Sequence, residues 1–554
     1  MKNRIKIVSL ALLSTLLFAS CETDTSLEST SSTSSSSSSS SLTSSSTESS
    51  QTSSSSVNFD DFEFDFPAWP ELDKDVYPQE ITFYSMNDTH GNLLPDEANE
   101  YPGFVQTVYE IKHQADFFAS SVLVSSGDMF QGTALSNISE GYAMVDAMNM
   151  AGFTGMAIGN HEFDWGIDAL EKLAERANFP FLGVNILNQE TSQRADFAGD
   201  YCIINRGKAK IGIIGSIGSD LESDISASVL KGYEFVNEYD MVSQIAKSLK
   251  SEENCDIVIL LTHQSPDTGL SLLNIPEIDG IFGGHDHQTH NETASGKKFI
   301  SAGCNSSYYG QIKFVYSKED GKYICDTSLE STRYQEVYYD PTKYDENVML
   351  VANKYNEVIS VISETVIGKR RGELVRYNSD ATSSLYGYAG TFLCEAMMYY
   401  ATELNPVDNV VAAFHNTGGV RSSWVNTNLT PDENGLYNIT IGDLYSMSPF
   451  DNMVQYVDVK GSDLIDAYKD HYNSLGFEED PSSYNSLYLN GEKIVSSNIY
   501  RVVTIDFVIT RKSDPLYSEN GGTNLNGELA YIRDVVSAYV QHLGTVEAAN
   551  YTRS

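Results

Sequence analysis

Short apolar segments alternate with amphipathic ones between residues 80 and 290 of the chain. The apolar segments have the length and the alternation of half-buried or fully buried strands. Between them, apolar positions recur at helical spacing, which predicts helices over Tyr142–Met150, Ile167–Asn178 and Tyr239–Lys250. Such alternation predicts an α/β fold in which helices are layered on a sheet. The five predicted strands are 80–86, 121–126, 155–158, 256–261 and 278–282.

Each predicted strand is followed by a polar turn that contains residues able to bind a metal ion. Ligand sites of open α/β sheets form beyond the carboxyl ends of the strands. We therefore expect these polar turns to gather on one edge of the sheet. The turns are Asn-Asp-Thr-His-Gly-Asn at 87–92, Gly-Asp at 127–128, Gly-Asn-His-Glu-Phe-Asp at 159–164, Thr-His at 262–263 and Gly-Gly-His-Asp-His at 283–287.

The second half of the chain shows a different organisation. Apolar residues at helical spacing predict a long helix over Asp345–Ile362, and another folded region follows it. With 554 residues the chain is too long for a single hydrophobic core. The pattern predicts a first domain at 77–338, a linker helix within 339–366 and a second domain at 367–554.

The first residues predict export. Lys2, Arg4 and Lys6 precede an apolar stretch at 7–19, which is too short to cross a bilayer as a helix and is typical of a signal peptide ending at residue 20. Its end, Leu17 to Cys21, resembles a bacterial lipoprotein cleavage box, which implies a lipid on Cys21 and a place at the cell surface. The alternative is a secretory signal followed by an unmodified cysteine. Residues 21–76, rich in Ser and Thr, are predicted to be a flexible tether.

Charge and cysteine content exclude two classes of function. Against 35 Lys and Arg stand 76 Asp and Glu, a net charge of −41, which repels nucleic-acid polymers and anionic membrane surfaces. We therefore expect a small-molecule substrate, and contact with a membrane only through the lipid. The six cysteines include no Cys-x-x-Cys spacing, so neither a disulfide framework nor a thiolate zinc site is indicated.

Seven residues of the polar turns provide four imidazoles, two carboxylates and one carboxamide, a set that suits Zn²⁺, Mn²⁺ or a similar divalent ion. Seven ligands are too many for one catalytic ion, so we expect two ions that share the carboxylate of Asp128. Two such ions leave the site positive, able to attract a phosphate and to hold a bridging water as hydroxide. The seven residues are Asp88, His90, Asp128, Asn160, His263, His285 and His287.

These motifs together resemble the signature of the calcineurin-type metallophosphoesterases, in the form found in exported bacterial 5′-nucleotidases, UDP-sugar hydrolases and 2′,3′-cyclic nucleotide phosphodiesterases. The resemblance covers about residues 78 to 530. It implies an N-terminal β-sandwich flanked by helices, joined by a long helix to a smaller α/β 5′-nucleotidase C-terminal domain. It assigns Asp88, His90, Asp128 and His287 to the first metal, and Asp128, Asn160, His263 and His285 to the second.

Beside Asn160, the spacing of His161 and Asp164 predicts a further contact. Residues three apart on the first turn of a helix share a face and can form a hydrogen bond. The resemblance assigns this pair to a dyad that neutralises charge in the transition state, whereas the alternative is that His161 only caps the helix. The implied reaction is in-line attack by the bridging hydroxide on phosphorus, without a covalent enzyme intermediate.

The second domain carries the residues that the resemblance places at the nucleoside. Asn416, Gly418 and Arg421 belong to an Asn-x-Gly-Gly-x-Arg loop, and Phe450 and Tyr517 are the expected aromatic rings on either side of a base. The alternative is that both rings are core residues. Two departures weaken the match to the family: Ser383 stands where many relatives have an arginine, and the loop at 512–517 contains a proline.

The resemblance therefore implies a 5′-nucleotidase that removes phosphate from extracellular nucleotides, for nucleotide catabolism and nucleoside salvage. Within enzymes, hydrolysis of 2′,3′-cyclic nucleotides or of nucleotide sugars is the alternative, because the same metal chemistry serves both. From another class, the protein could be a surface nucleotide-binding or adhesive module that has lost catalysis. The intact ligand and dyad positions argue against this second alternative.

Overall fold

The computed structural model describes residues 57–97, 100–115, 117–225, 229–230, 232–427, 429–469, 473–479, 487–489, 491–511, 514–518, 522 and 530–552. The predicted signal peptide, Cys21 and the tether as far as residue 56 lie outside these residues, as do residues 512–513 of the altered loop. The chain forms two units, Met1–Glu63 and Phe64–Ser554. In the first, the described residues contain a 3₁₀ turn at Phe59–Asp61 whose N-terminus is capped by the side chain of Asn58. The fold below is that of the second unit.

Part of the segment predicted to be a tether packs on the folded body, from about residue 64 onward. The indole Nε1 of Trp69 donates to the carbonyl of Ala119 at 2.8 Å, and the guanidinium of Arg206 lies 5.1 Å from the Trp69 ring centre. The ring of Phe64 stacks on Tyr355. Aromatic rings between the serine-rich stretch and the first strand therefore anchor a segment that we expected to be flexible.

Residues 80–336 form two main sheets and a separate two-stranded sheet of β5 and β8. The strands are β1 Glu80–Met86, β2 Val122–Ser125, β3 Phe153–Ala157, β4 Phe181–Leu182, β5 Ile186–Asn188, β6 Tyr201–Arg206, β7 Ala209–Ile217, β8 Tyr233–Phe235, β9 Ile257–His263, β10 Gly280–Gly283, β11 Thr289–Ala294, β12 Lys297–Ala302, β13 Tyr308–Ser317, β14 Lys322–Asp326 and β15 Arg333–Glu336. One sheet has the order β14-β13-β1-β2-β3-β4, with β15 also on β13. The other has the order β11-β12-β10-β9-β7-β6.

Helices α1 to α6 connect these strands, and the three predicted helices are present as α3, α4 and α5. In α4 the buried residues are Ala169, Leu170 and Leu173, which lie on one face at helical spacing. The helices are α1 Gly103–Lys112, α2 Ala134–Ile138, α3 Tyr142–Ala151, α4 Ile167–Arg176, α5 Tyr239–Ser251 and α6 Pro266–Gly269.

The two sheets pack face to face, so the first domain is the sandwich that the family resemblance implied. Ile81 and Phe83 of β1 share one buried cluster with Ile211, Ile213 and Ile259 of the other sheet. The expectation that all five polar turns lie on the edge of one sheet is wrong, because β1, β2 and β3 belong to one sheet while β9 and β10 belong to the other. The turns instead converge from the strand ends of both sheets.

The predicted linker helix is α7, Glu346–Ser363. The side chain of Asp345 caps it by accepting from the backbone N–H groups of Asn347 and Val348. On its buried face the hydroxyl of Tyr355 donates to Asp146 of α3 at 2.7 Å, and Arg176 of α4 binds the same carboxylate. This charge-assisted network fixes the first half of the linker helix to the first domain.

The second half of the chain has a separate core, in which Phe392, Phe414 and Val503 are fully buried. Its four-stranded sheet has the order β21-β26-β19-β22, with α8 packed on β19. Among the described residues, no helix combines the length and apolar character that a membrane crossing requires. The strands are β16 Val366–Arg371, β17 Glu373–Val375, β18 Tyr386–Tyr388, β19 Val410–His415, β20 Tyr437–Thr440, β21 Val454–Lys460, β22 Asn473–Leu475, β23 Phe477–Glu479, β24 Leu487–Leu489, β25 Glu492–Lys493, β26 Ile499–Ile505 and β27 Thr545–Glu547. The helices are α8 Ala389–Tyr399, α9 Ile441–Met447, α10 Gly461–Lys469, α11 Asp506–Thr510 and α12 Ile532–Leu543.

Candidate active site

Five of the seven predicted metal ligands adopt left-handed backbone conformations. This region is uncommon for residues other than glycine, costs about 1–3 kcal/mol for each residue, and is concentrated at functional sites. The surrounding fold therefore holds these turns against their local preference. The values of φ are 48° for Asp88, 49° for His90, 54° for Asp128, 80° for His285 and 60° for His287.

The first group of ligands consists of Asp88, His90 and His287, which each offer one atom within 4.8 Å of the others. Nδ1 of His90 donates to the carbonyl of Gln131 at 3.0 Å, so its Nε2 is left unprotonated and lies 2.9 Å from Nε2 of His287. The same nitrogen of His287 lies 3.7 Å from the Asp88 carboxylate. Burial lowers the pKa of His90 well below its usual range and that of His287 to about 4, so both rings are neutral.

The second group consists of Asp128, His263 and His285, again within 4.8 Å of one another. Oδ1 of Asn160 lies 3.2 Å from Nε2 of His263 and 3.2 Å from Nδ1 of His285. Nδ1 of His263 donates to the carbonyl of Ser126, which turns Nε2 toward Asp128 at 3.1 Å. Although burial opposes protonation, the Asp128 carboxylate raises the pKa of His263 to about 10. This pair therefore favours a positive charge between its members, whether a proton or a metal ion.

The donor set fits two divalent ions. Neutral imidazoles whose other nitrogen is fixed by a backbone carbonyl, next to buried carboxylates, are the usual ligands of zinc and related metals. The facing ring nitrogens of His90 and His287, 2.9 Å apart, can share one proton or bind a cation. Asp128 lies with the second group, and its sharing between both ions stays a prediction.

Glu162 organises the turns that carry the second group, a role that sequence reasoning missed. Its carboxylate accepts from the backbone N–H groups of Asp128 at 2.9 Å, Met129 at 2.8 Å and Gly159 at 2.7 Å. It thereby joins the turn after β2 to the turn after β3. A Cβ at Gly159 would lie 2.3 Å from Oδ1 of Asp128, so this close approach requires glycine. The signal was the Glu inside Gly-Asn-His-Glu, but only the fold shows which amides it binds.

The hydrogen bond predicted between His161 and Asp164 is present. Nδ1 of His161 lies 2.9 Å from Oδ2 of Asp164, across a 3₁₀ turn at His161–Phe163 rather than the first turn of an α-helix. Burial opposes protonation, but the carboxylates of Asp164 and Asp128 raise the pKa of His161. The backbone N–H of His161 also donates to Oδ1 of Asp128 at 2.9 Å. The imidazole is therefore oriented, biased toward its charged form and tied to the second ligand group.

One cavity of about 800 Å³ lies between the two halves of the unit and is lined by both. The ring of Phe450 stacks on His161, with 5.5 Å between ring centres and 22° between planes. The guanidinium of Arg421 lies 5.4 Å from the Phe450 ring centre. The structure thus brings the predicted nucleoside-facing residues to the predicted metal site, in a volume that suits a small organic ligand. The predicted residues that line it are Asp128, Asn160, His161, Asp164, His285, His287, Asn416, Gly418, Arg421 and Phe450.

Tyr517 is not among the residues that line this cavity, whereas Phe507 is. The backbone N–H of Tyr517 closes a turn onto the carbonyl of Asp514. Phe507 lies at the start of α11, next to the buried residues Val508 and Ile509. In the sequence it is one of several apolar residues of a short helix, so no local pattern marked it as a cavity residue. Ser383 does not line the cavity either. Its backbone N–H donates to the buried carboxylate of Glu373 at 3.0 Å.

Two family models match the chain. Calcineurin-like phosphoesterase matches residues 81–289, and 5′-nucleotidase, C-terminal domain, matches residues 366–485. The chain is 25% identical to the protein UshA of Escherichia coli over 536 residues, which cover 85% of this chain and 92% of that protein. It is 25% identical to a 5′-nucleotidase of Vibrio cholerae over 423 residues, 70% and 74% of the two chains.

The fold is similar to that of a solved 5′-nucleotidase precursor from Thermus thermophilus. The TM-score is 0.65, the identity is 18%, and the superposition covers 85% of this chain and 97% of the other. At this identity the likeness concerns the fold alone. The two family models show that the chain belongs to the calcineurin-like phosphoesterases that carry a 5′-nucleotidase C-terminal domain, and that it is a metal-dependent, 5′-nucleotidase-like phosphoesterase.

Proposed function

We propose that the protein removes the phosphate group from 5′-mononucleotides outside the cell and so yields nucleosides for uptake. One observation carries this proposal: the same cavity is bordered by members of both ligand groups, by the His161–Asp164 pair and by the ring of Phe450. The members that border it are His287 of the first group and Asp128 and His285 of the second. A phosphate on the ligand groups could therefore belong to a molecule whose other end contacts the second domain. The relative named 5′-nucleotidase in Vibrio cholerae supports the same activity.

Each ion would be held by four residues, and Asp128 would bind both ions. The other ligands would be Asp88, His90 and His287 for the first ion, and Asn160, His263 and His285 for the second. When bound, two divalent ions supply an activated water and polarise the phosphoryl oxygens. The protein itself holds the ligands in place on turns with left-handed backbone conformations. The carboxylate of Glu162 fixes two of these turns, and residues of the second domain line the cavity opposite them.

In this mechanism His161 holds a proton where negative charge develops. Its Nδ1 is engaged by Asp164, so Nε2 is the nitrogen left for the substrate. An oriented imidazolium can donate to a phosphoryl oxygen and to the departing ester oxygen, which lowers the barrier electrostatically. The guanidinium of Arg421, 5.4 Å from the ring centre of Phe450, adds a second positive charge at the cavity.

For the nucleoside we propose contacts with Asn416, Gly418, Arg421 and Phe450, as the sequence predicted. As the second aromatic ring we propose Phe507 in place of Tyr517, because Phe507 lines the cavity. Bases stack on aromatic rings with little dependence on their identity.

For localisation we propose export by the segment at 1–20 and anchoring through a lipid on Cys21. The basic start, the apolar stretch and the small residues before the cysteine support this proposal. Anchored in this way, the catalytic body would meet nucleotides on the outer side of the membrane.

The test is a substrate panel measured before and after removal of metal ions. We expect hydrolysis of AMP to fall to background after thorough chelation and to return when Mn²⁺ or Zn²⁺ is added. We expect 2′,3′-cyclic AMP and UDP-glucose to be hydrolysed more slowly than AMP. Preference for either of those two would instead select the alternative enzyme class. Activity that survives complete metal removal would contradict the two-metal proposal.

Replacing Phe450 by alanine tests the base contact. Since stacking of one base contributes about 1–3 kcal/mol, kcat/KM for AMP should fall about 5- to 150-fold. A small aryl phosphate, which has no base, should lose much less. Because Phe450 also contacts His161, the aryl phosphate measures any damage to the dyad. The matched variant Phe450→Trp keeps a ring and should retain most of the preference for AMP. An unchanged ratio of the two substrates in Phe450→Ala would exclude stacking.

A further inference from the structure

Phe450 lies in a loop, residues 448–453, that joins α9 to β21. The carbonyl groups of such a loop are not paired by the regular hydrogen bonds of a helix or a sheet, so where they are buried they need other partners. Ser448 and Pro449 are buried, and a proline has no backbone N–H with which the loop could close on itself. The place of the Phe450 ring at the cavity therefore depends on the groups that bind these carbonyls.

The guanidinium of Arg533, in the first turn of α12, binds this loop. Its Nη1 donates to three consecutive carbonyl oxygens, at 3.2 Å for Ser448, 2.8 Å for Pro449 and 2.7 Å for Phe450. Its Nη2 forms an ion pair with the carboxylate of Asp451. One side chain thus contacts four consecutive residues of the loop, through hydrogen bonds that its positive charge strengthens.

Arg533 is itself fixed by its surroundings. Its side chain is only 12% exposed, and its Cζ lies 4.3 Å from the ring centre of Tyr445 in α9. The backbone N–H of the preceding residue, Ile532, donates to the carbonyl of Asn452 at 2.9 Å. The start of α12 therefore binds the Phe450 loop at several points, although Arg533 is not among the residues that line the cavity.

The first domain contacts the same loop at one of these carbonyls. Nδ2 of Asn137, in α2, lies 3.3 Å from the carbonyl oxygen of Pro449. Oδ1 of Asn137 accepts from the backbone N–H of Gly132 at 2.9 Å, in the segment that follows the Asp128 turn. The Pro449 carbonyl thus lies between Arg533 and a segment next to the proposed metal ligands, which fixes the loop relative to the metal site.

We propose that Arg533 is a positioning residue for base recognition, because its bonds to the loop carbonyls hold the ring of Phe450 where a base can stack. This inference rests on the proposed nucleotidase function and adds to its specificity a residue outside the cavity. Without the guanidinium the carbonyls would lose their partners, and the loop would leave its present position to regain hydrogen bonds with water. The ring would then be found less often in the place where it meets the base.

The test compares AMP with a small aryl phosphate in the full-length enzyme carrying Arg533→Met, which removes the donors and keeps an unbranched side chain. We expect kcat/KM for AMP to fall about 5- to 50-fold relative to that for the aryl phosphate, with the larger part in KM, because stacking is a binding contact. Asp451 lines the cavity and would lose its counter-charge, but its repulsion acts on the phosphate of both substrates alike.

Two further variants accompany this one. Arg533→Lys keeps the charge without the planar fork of donors, so its loss of AMP preference should be intermediate. The control is Arg501→Met on the same domain, which removes an arginine bound to the exposed carboxylate of Asp458 and should leave the ratio of the two substrates unchanged.

A double-mutant cycle with Phe450→Ala separates positioning from a general effect on stability. If Arg533 acts through the ring, adding Arg533→Met to Phe450→Ala should change the ratio of AMP to aryl phosphate hydrolysis by no more than about 2-fold. If the two single effects instead multiplied in full, Arg533 would act independently of Phe450, and the inference would be overturned. Should Arg533→Met not fold, the same cycle with Arg533→Lys decides.

An unchanged substrate ratio in both Arg533→Met and Arg533→Lys, even with a lower melting temperature, would likewise overturn this inference and leave the nucleotidase function intact. An unaltered enzyme that hydrolysed the aryl phosphate but not AMP would contradict the proposed function itself, and this inference with it.

Discussion

Asp128→Asn is expected to lower kcat for AMP about 10³-fold or more, because it removes a negative ligand worth several kcal/mol of metal-assisted stabilisation. The carboxylate uses Oδ2 toward His263 and accepts from the N–H of His161 through Oδ1. An amide has a single oxygen and cannot serve both. Bound metal, measured by atomic emission on the purified protein, should fall below two ions per chain.

The control for this change is Asp458→Asn, an exposed carboxylate paired with Arg501 on the second domain. It should leave both kcat and metal content as they are. We expect the Asp128→Asn variant to fold, because the hydrogen bond from the backbone N–H of residue 128 to Glu162 does not involve the altered side chain. An Asp128→Asn enzyme with two tightly bound ions and kcat within 10-fold of the original would refute the role of this residue as a shared ligand.

The second large effect is expected for His161→Asn. Loss of a positioned general acid costs about 10²- to 10⁴-fold, and here kcat should carry the loss while metal content stays at its original value. The effect should be larger for AMP, whose leaving alkoxide is strongly basic, than for an aryl phosphate with a stabilised leaving group. Asp164→Asn keeps the imidazole but weakens its orientation, so its loss should be smaller than that of His161→Asn.

His113→Asn is the matched control, because His113 lies on the surface of the first domain and its Nδ1 binds the carbonyl of Tyr109. It should leave kcat unchanged. If His161→Asn lost activity equally on AMP and on the aryl phosphate, His161 would act on the phosphoryl oxygens alone. A variant with nearly full activity on both would show that His161 only supports the turn.

Local signals predicted the helices α3, α4 and α5 and the turns that carry the proposed metal ligands. The spacing of buried residues in α4 and the Asp345 cap of α7 depend on neighbours within one or two turns, so a linear pattern contains them. The turns with Asp88 and His90 were recognisable because polar residues interrupt an apolar strand. Local patterns of this kind carry no information about which strands, far apart in the sequence, pair with each other. The pattern therefore could not show that β3 and β9 belong to different sheets.

The sequence by itself determined which side chains could bind metal and in which turns they lie, because strand periodicity and turn residues are properties of adjacent positions. Only the tertiary structure decided that Glu162 braces the Asp128 turn and that Phe507 rather than Tyr517 borders the cavity. These outcomes depend on contacts between segments far apart in the chain. Their energies come from burial and hydrogen bonds that form only when the sheets and the two halves have packed.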